Sequence, residues 1–256
     1  MGMIHVKTNT VVRRCPNKLI NEKSARERLE WVNLWIDQAN EENVKKRILL
    51  VGDSTSRVIR RTMSEALGDV PVDLFATSAA LRDVIYWDQL DAFFKNNQYK
   101  YDFIFVQVGN HSRINEDGNG PFTEYDYTRF HDDYTILIEY LQNYCKHIIL
   151  EPCYLMVVPR KDGWFKDKVR KVIHKYLKVK FSQQPNIEAN AVSQKKNDIM
   201  KLVAKELSMP WCDINAYLDS TYFIRRDNIH YEYRASLPIC NYLINFARKT
   251  FKDEEI

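Results

Sequence analysis

The chain has 256 residues, 45% of them hydrophobic and 28% charged, with a formal net charge of +4 at pH 7. This apolar content excludes a disordered chain, and no run approaches the roughly 18 consecutive apolar residues of a membrane span. The mild positive charge does not point to nucleic acid, and one domain is the prior for an open α/β chain of this length.

The N-terminal stretch MGMIHVKTNTVVRRCPNK lacks the long apolar segment of a secretory signal. Val6 stands where a myristoylation pattern needs Ser or Thr. Residues 1–22 read as an extension, followed by one domain over 23–256. Residues 24–42 place Leu29, Val32, Ile36 and Ala39 at helical spacing behind Ser24, which predicts a capped helix. Residues 46–52, ending in RILLVG, read as a buried strand. A helix is predicted over 55–67, with Val58, Ile59, Met63, Ala66 and Leu67 inward.

VDLFAT (72–77) is a second strand, and a helix runs through LRDVIYWDQLDAFFKNN after it. DFIFVQVG (102–109) is a third strand, a helix follows over 125–144, and HIILEP (147–152) is a fourth. Helical stretches near 164–179 and 188–207 lead to WCDINAY (211–217), predicted as a fifth strand. The basic run KDKVRKVIHKYLKVK (166–180) reads as a solvated amphipathic helix. A closing helix is predicted over 237–251, with Pro238 in its first turn.

Helices alternating with unbroken apolar strands predict a mainly parallel, five-stranded sheet covered on both faces, a three-layer α/β/α sandwich. Ligands of such sheets bind beyond the carboxyl ends of the strands. The segments to inspect are therefore 52–56, 77–82, 109–124, 152–164 and 218–236.

LLVGDSTSRV (49–58) sets Ser54 between a strand and a helix. A hydroxyl there lies at a helix N-terminus, where free amides favour negative charge, and its own N–H is placed to help hold an oxyanion. The same position also suits a plain N-cap. A serine nucleophile needs a base, and the base needs an orienter. His230, in RRDNIHYEY, follows Asp227 by three residues. That spacing lets the carboxylate accept the Nδ1–H and leaves Nε2 for a hydroxyl. A surface loop with an incidental Asp and His is the plainer reading, but this loop and the Asp227 partner favour function. Asp53 is expected to fix its loop by hydrogen bonding. The α/β-hydrolase elbow GxSxG is not met, because Ser56 replaces its second Gly.

Cys15, Cys145, Cys153, Cys212 and Cys240 show no CxxC spacing. No disulfide framework or zinc site is expected, and a reducing, cytoplasmic compartment is the simpler reading. With no phosphate loop, dinucleotide fingerprint or HExxH, no cofactor and no metal are expected.

Gly52-Asp53-Ser54 after the first strand, with Asp227-x-x-His230 before the last helix, resembles the SGNH/GDSL hydrolase superfamily over about residues 45–251. The resemblance implies a flavodoxin-like α/β fold, Ser54 as nucleophile, His230 as general base and then acid, and Asp227 as orienter. The glycine of the family's second block is missing from ATSAALRD (76–83), where the amide of Ser78 or Ala79 would stand in. The third block, Gly-x-Asn, is represented by Gly109-Asn110-His111. His111 holds the Asn position if Gly109 sets the register; Asn110 holds it if the loop is one residue shorter. The implied oxyanion hole is the amides of Ser54 and Ser78 with the side chain of Asn110 or His111.

The implied activity is serine-dependent hydrolysis of an O-acyl, chiefly O-acetyl, ester of a carbohydrate through an acyl-enzyme. O-acetyl transfer to a surface or capsular polysaccharide is the second reading, and a catalytically silent binding module of the same fold is the third. Gly109, Arg57 and Trp164 are candidate substrate contacts. Phe122, Tyr125 and Tyr127 suit either sugar stacking or packing. The expected partner is a small-molecule or glycan ester, with no nucleic acid and no membrane span. The oligomeric state is not readable from the sequence.

Overall fold

In the computed structural model β1 (Val32–Trp35), β2 (Ile48–Gly52), β3 (Val72–Thr77), β4 (Phe103–Val106) and β5 (His147–Leu150) form one sheet of order β1-β3-β2-β4-β5. The structure describes residues 31–39, 41, 44–96, 99–111, 122–158, 164–177, 184–220, 225, 227–231 and 233–252. The 1–22 extension, Ser24 and Leu29 lie outside them. β2 to β5 are parallel, and β1 runs antiparallel along the outer edge of β3.

The central strands form where the apolar runs are unbroken, because both faces of the sheet are covered. Leu49, Val51, Phe75, Ile104, Val106, Ile148 and Leu150 face one core, and Ile48, Leu50, Leu74, Phe103, Phe105 and Ile149 face the other. Fully burying each of these side chains contributes about 1.5–3 kcal/mol. α1 (Ser54–Ala66) lies in the second core, and α2 (Val84–Asn96), α3 (Glu124–Leu141) and α5 (Ile187–Glu206) in the first. α6 (Ile214–Ser220) and α7 (Tyr233–Thr250) complete the second core. α4 (Trp164–Leu177) exposes Phe165, Val169, Val172 and Tyr176. No helix among the described residues is long and apolar enough to cross a membrane.

The α/β sandwich is as expected, but its fifth strand comes from a different place. Residues 32–35 are not helical: Val32 pairs with Thr77 and Trp35 with Leu74. Val32, Asn33, Leu34 and Trp35 are rich in strand formers, and the open edge of β3 supplies partners that the helical spacing could not reveal. The predicted strand over 211–217 shrinks to one bridge between Trp211 and Leu150. The chain then turns into α6, whose Ala216 amide is accepted by the Asp213 carboxylate at 3.2 Å, an N-cap contact that ends the extended segment. The closing helix begins at Tyr233, four residues before the predicted start, so Pro238 lies inside it and not in its first turn.

Candidate active site

β2 ends at Gly52, where a Cβ would stand 2.0 Å from Ser56 Oγ and 2.7 Å from the Gln107 carbonyl oxygen. Only glycine lets the turn pass so close to the segment after β4. Asp53, extended at φ −128°, is the N-cap of α1 and accepts from the Thr55 amide at 2.8 Å. The cap is therefore Asp53, and Ser54 is the first helical residue, relieved of the capping role. Asp53 is 2% exposed. Its other oxygen accepts from Asn110 Nδ2 at 2.7 Å. The Thr55 hydroxyl lies 2.8 Å from Asp53 Oδ1 and also meets the Gln107 side-chain amide. Asp53 thus holds the turn by hydrogen bonds.

The loop before α7 brings His230 onto this turn. His230 Nε2 lies 2.6 Å from Ser54 Oγ, and His230 Nδ1 lies 2.8 Å from Asp227 Oδ2. Asp227 Oδ1 also accepts from the amides of Ile229 and His230, at 3.0 and 2.7 Å. One carboxylate therefore folds the loop and orients the ring. Burial alone would raise the Asp227 carboxyl, but these two amides and the His230 ring outweigh it and hold the group below its ordinary 3.8. The loop is tied down further by the Asn228 carbonyl, which accepts from the Val157 amide at 2.9 Å.

Of the predicted oxyanion donors, Ser54 keeps its place at the start of α1. The Ser78 amide instead donates to the Trp31 carbonyl at 3.0 Å, and the Ser78 hydroxyl accepts from the Trp31 amide at 2.9 Å. Pairing of β1 with β3 thus commits Ser78 to the sheet edge. The Ala79 amide donates to Thr77 Oγ1 at 3.1 Å. Asn110 reaches the Ser54 turn through Asp53, whereas the His111 ring meets Trp31 edge-on, with centroids 6.3 Å apart. Gly109, at φ +102°, would drive a Cβ to 2.8 Å from Cys153 Sγ. Arg57 is exposed, and its guanidinium stands 5.3 Å from the centre of the Trp31 ring. Trp164 opens α4, and its side chain lies outside the described part.

Residues on either side of Ser54 line different hollows. A cleft of about 510 Å³ beside Asp53 is walled by Ala80, Tyr86, His111, Phe122 and Phe130 among others. A smaller hollow of about 260 Å³ holds Thr55, Tyr154, His230 and Tyr231. Phe122 packs on Tyr127 at 5.2 Å, and Arg82 and Lys196 stand over its ring, while Phe122 also walls the cleft. Tyr125 is exposed.

Three residues beside the site carried no sequence signal. Trp31 fell in the predicted helix, and Lys196 looks like one more surface cation of QKKND. Glu151, 2% exposed at the end of β5, is pushed up to about 8 by its burial and then by the charge of Asp53. Among the described residues no group of three or more His, Cys, Asp or Glu is placed to hold a metal ion.

No protein-family model and no curated protein matches the chain. Solved structures match in fold. A protein assigned to the SGNH hydrolases from Slackia heliotrinireducens shares 14% identity at a TM-score of 0.50, over 77% of this chain and 96% of that one. An acetyl xylan esterase shares 15% at 0.51, over 78% and 98%. An acetylxylan esterase from Geobacillus stearothermophilus, in a catalytic-mutant form, shares 11% at 0.50, over 79% and 94%. The chain carries the α/β architecture of the SGNH hydrolases, in a divergent form.

Proposed function

We propose that this chain is a serine esterase that removes O-acyl groups, chiefly O-acetyl, from a carbohydrate. The observation that carries the reading is the unbroken hydrogen-bonded series from Ser54 through His230 to Asp227. Ser54 Oγ attacks the ester carbonyl carbon while His230 Nε2 takes its proton, and Asp227 stabilises the imidazolium that forms. The carbonyl oxygen becomes an oxyanion facing the Ser54 amide at the positive end of α1. Collapse breaks the bond to the alcohol, which leaves with the proton from His230. Water then attacks the acyl-enzyme, gives its proton to His230 and releases the acid, and the proton returns to Ser54. Asn110 steadies the turn through Asp53, and the cleft beside Asp53 receives the substrate. Acetyl xylan esterases among the fold neighbours support a carbohydrate ester as substrate.

Turnover of p-nitrophenyl acetate, with and without excess sugar acceptors, tests the reading against Ser54→Ala. Nitrophenol release that needs Ser54 and ignores acceptors is expected. Release accelerated by an acceptor, with an acetylated product, makes the enzyme a transferase. No Ser54-dependent release leaves a silent binding module.

A further inference from the structure

α5 turns a polar edge toward the loops that follow β4 and β5. Asn190 and Lys196 are 4% and 1% exposed. Asn190 Oδ1 accepts from the Met156 amide at 2.7 Å, and its Nδ2 donates to the Met156 carbonyl at 2.8 Å. Asn197 does the same at Cys153, at 2.7 and 3.2 Å. Between them Lys196 Nζ donates to the carbonyls of Gly109 and His111, each at 2.9 Å. The ammonium also stands 4.6 Å from the centre of the Phe122 ring and 5.2 Å from that of Phe130.

A buried ammonium is costly unless dipoles or charges compensate it. Here two carbonyl dipoles and two ring faces do so. Those carbonyls belong to the residues on either side of Asn110, whose amide donates to Asp53 in the turn that presents Ser54. On its other side the loop is held by the tight approach of Gly109 to Cys153. Lys195, the next residue back, pairs with Glu124 at the surface, so the inward cation is the odd member of the run.

We propose that Lys196 is a positioning residue for the Ser54 site: its ammonium pins the loop on both sides of Asn110 and so fixes the Asn110–Asp53 bond that braces the nucleophile turn. The kinetic consequence rests on the esterase reading; the structural one does not.

Lys196→Met keeps the apolar stem against Phe122 and Phe130 and removes the donors. With p-nitrophenyl acetate, kcat is expected to fall about 10- to 100-fold while KM stays within about twofold. Combining it with Asn110→Ala adds little further loss, because the two act in series. Hydrogen exchange in the 103–111 segment accelerates, while exchange in α7 does not change. Lys196→Gln, which keeps a shorter donor, falls between the two and carries both arms should Lys196→Met fail to fold. A kcat within about twofold of wild type overturns the proposal, and so does exchange that rises equally throughout the chain. If the wild-type protein shows no Ser54-dependent turnover, the esterase reading falls by itself. The exchange arm then decides whether Lys196 holds the loop.

Discussion

His230 Nε2 sits 2.6 Å from Ser54 Oγ although 176 residues separate them. Core packing closes that distance. α1 and α7 lie side by side on one face of the sheet, with Ile59 and Met63 in the same core as Ile239, Cys240 and Leu243. The Cys240 thiol donates to the Ile59 carbonyl at 3.5 Å. The loop that carries His230 leads into α7, so the helix pair brings the ring to the hydroxyl.

Asp227 orients that ring, and its replacement separates orientation from shape. Asp227→Asn keeps the size but presents an amide that favours the wrong imidazole tautomer, so kcat is expected to fall by at least about 100-fold. In the wild type the carboxyl is held below its ordinary 3.8. A depressed carboxyl contributes fully above its unfolded value and loses the contribution as pH falls through the folded one. The 227–230 loop should therefore stay ordered down to about pH 4 and loosen below it, read by hydrogen exchange of the Ile229 and His230 amides.

Glu151 has the opposite sign. Its carboxyl is pushed up to about 8, so the folded chain holds a proton that the unfolded chain has released above its ordinary 4.5. Stability should fall as pH rises from about 4.5 to about 8 and flatten beyond, by on the order of a few kcal/mol. Glu151→Gln removes this slope. Thermal melts of both proteins from pH 5 to pH 9 should diverge up to about pH 8 and run parallel above it, with the variant the more stable at the alkaline end.

Gly52→Ala tests how tightly the Ser54 turn is packed. The new Cβ meets the Gln107 carbonyl at 2.7 Å and Ser56 Cβ at 2.9 Å, neither of which can swing away. A loss of at least about 2 kcal/mol is expected, a drop in Tm of about 4–8 °C. Adding Ser56→Ala removes only the hydroxyl clash and should recover little.

Trp31 offers a ring at the rim between Arg57 and His111. Trp31→Ala is expected to raise KM about 3- to 10-fold for an acetylated oligosaccharide and to leave p-nitrophenyl acetate almost unaffected. Equal effects on both substrates would assign Trp31 to the fold alone.

The parts of this chain legible in its sequence are those decided locally. The apolar runs of β2, β4 and β5 are short, rich in β-branched or aromatic residues and buried, which favours a strand covered on both faces. Ser54, Asp227 and His230 stand out because turn position and a three-residue spacing already carry their geometry. What escaped depends on partners distant in the chain. Val32 and Ile36 fit a helix or a strand equally, and the free edge of β3 decides. The Ser78 amide looks open to the site in the sequence, but Trp31, distant in the chain, accepts from it. Asp213 turns a strand-like segment into a helix start through one side-chain bond. Lys195 and Lys196 are the same residue type on adjacent positions, and only the packing of α5 turns one outward and the other in.

The proposed esterase stands on one step, the transfer of the Ser54 proton to His230. Mass-spectrometric mapping after exposure to a fluorophosphonate tests it most directly. One adduct per chain is expected, on Ser54, lost in Ser54→Ala and slowed by at least about 1,000-fold in His230→Ala. An unlabelled Ser54 in the wild-type protein, or equal labelling rates with and without His230, would contradict it.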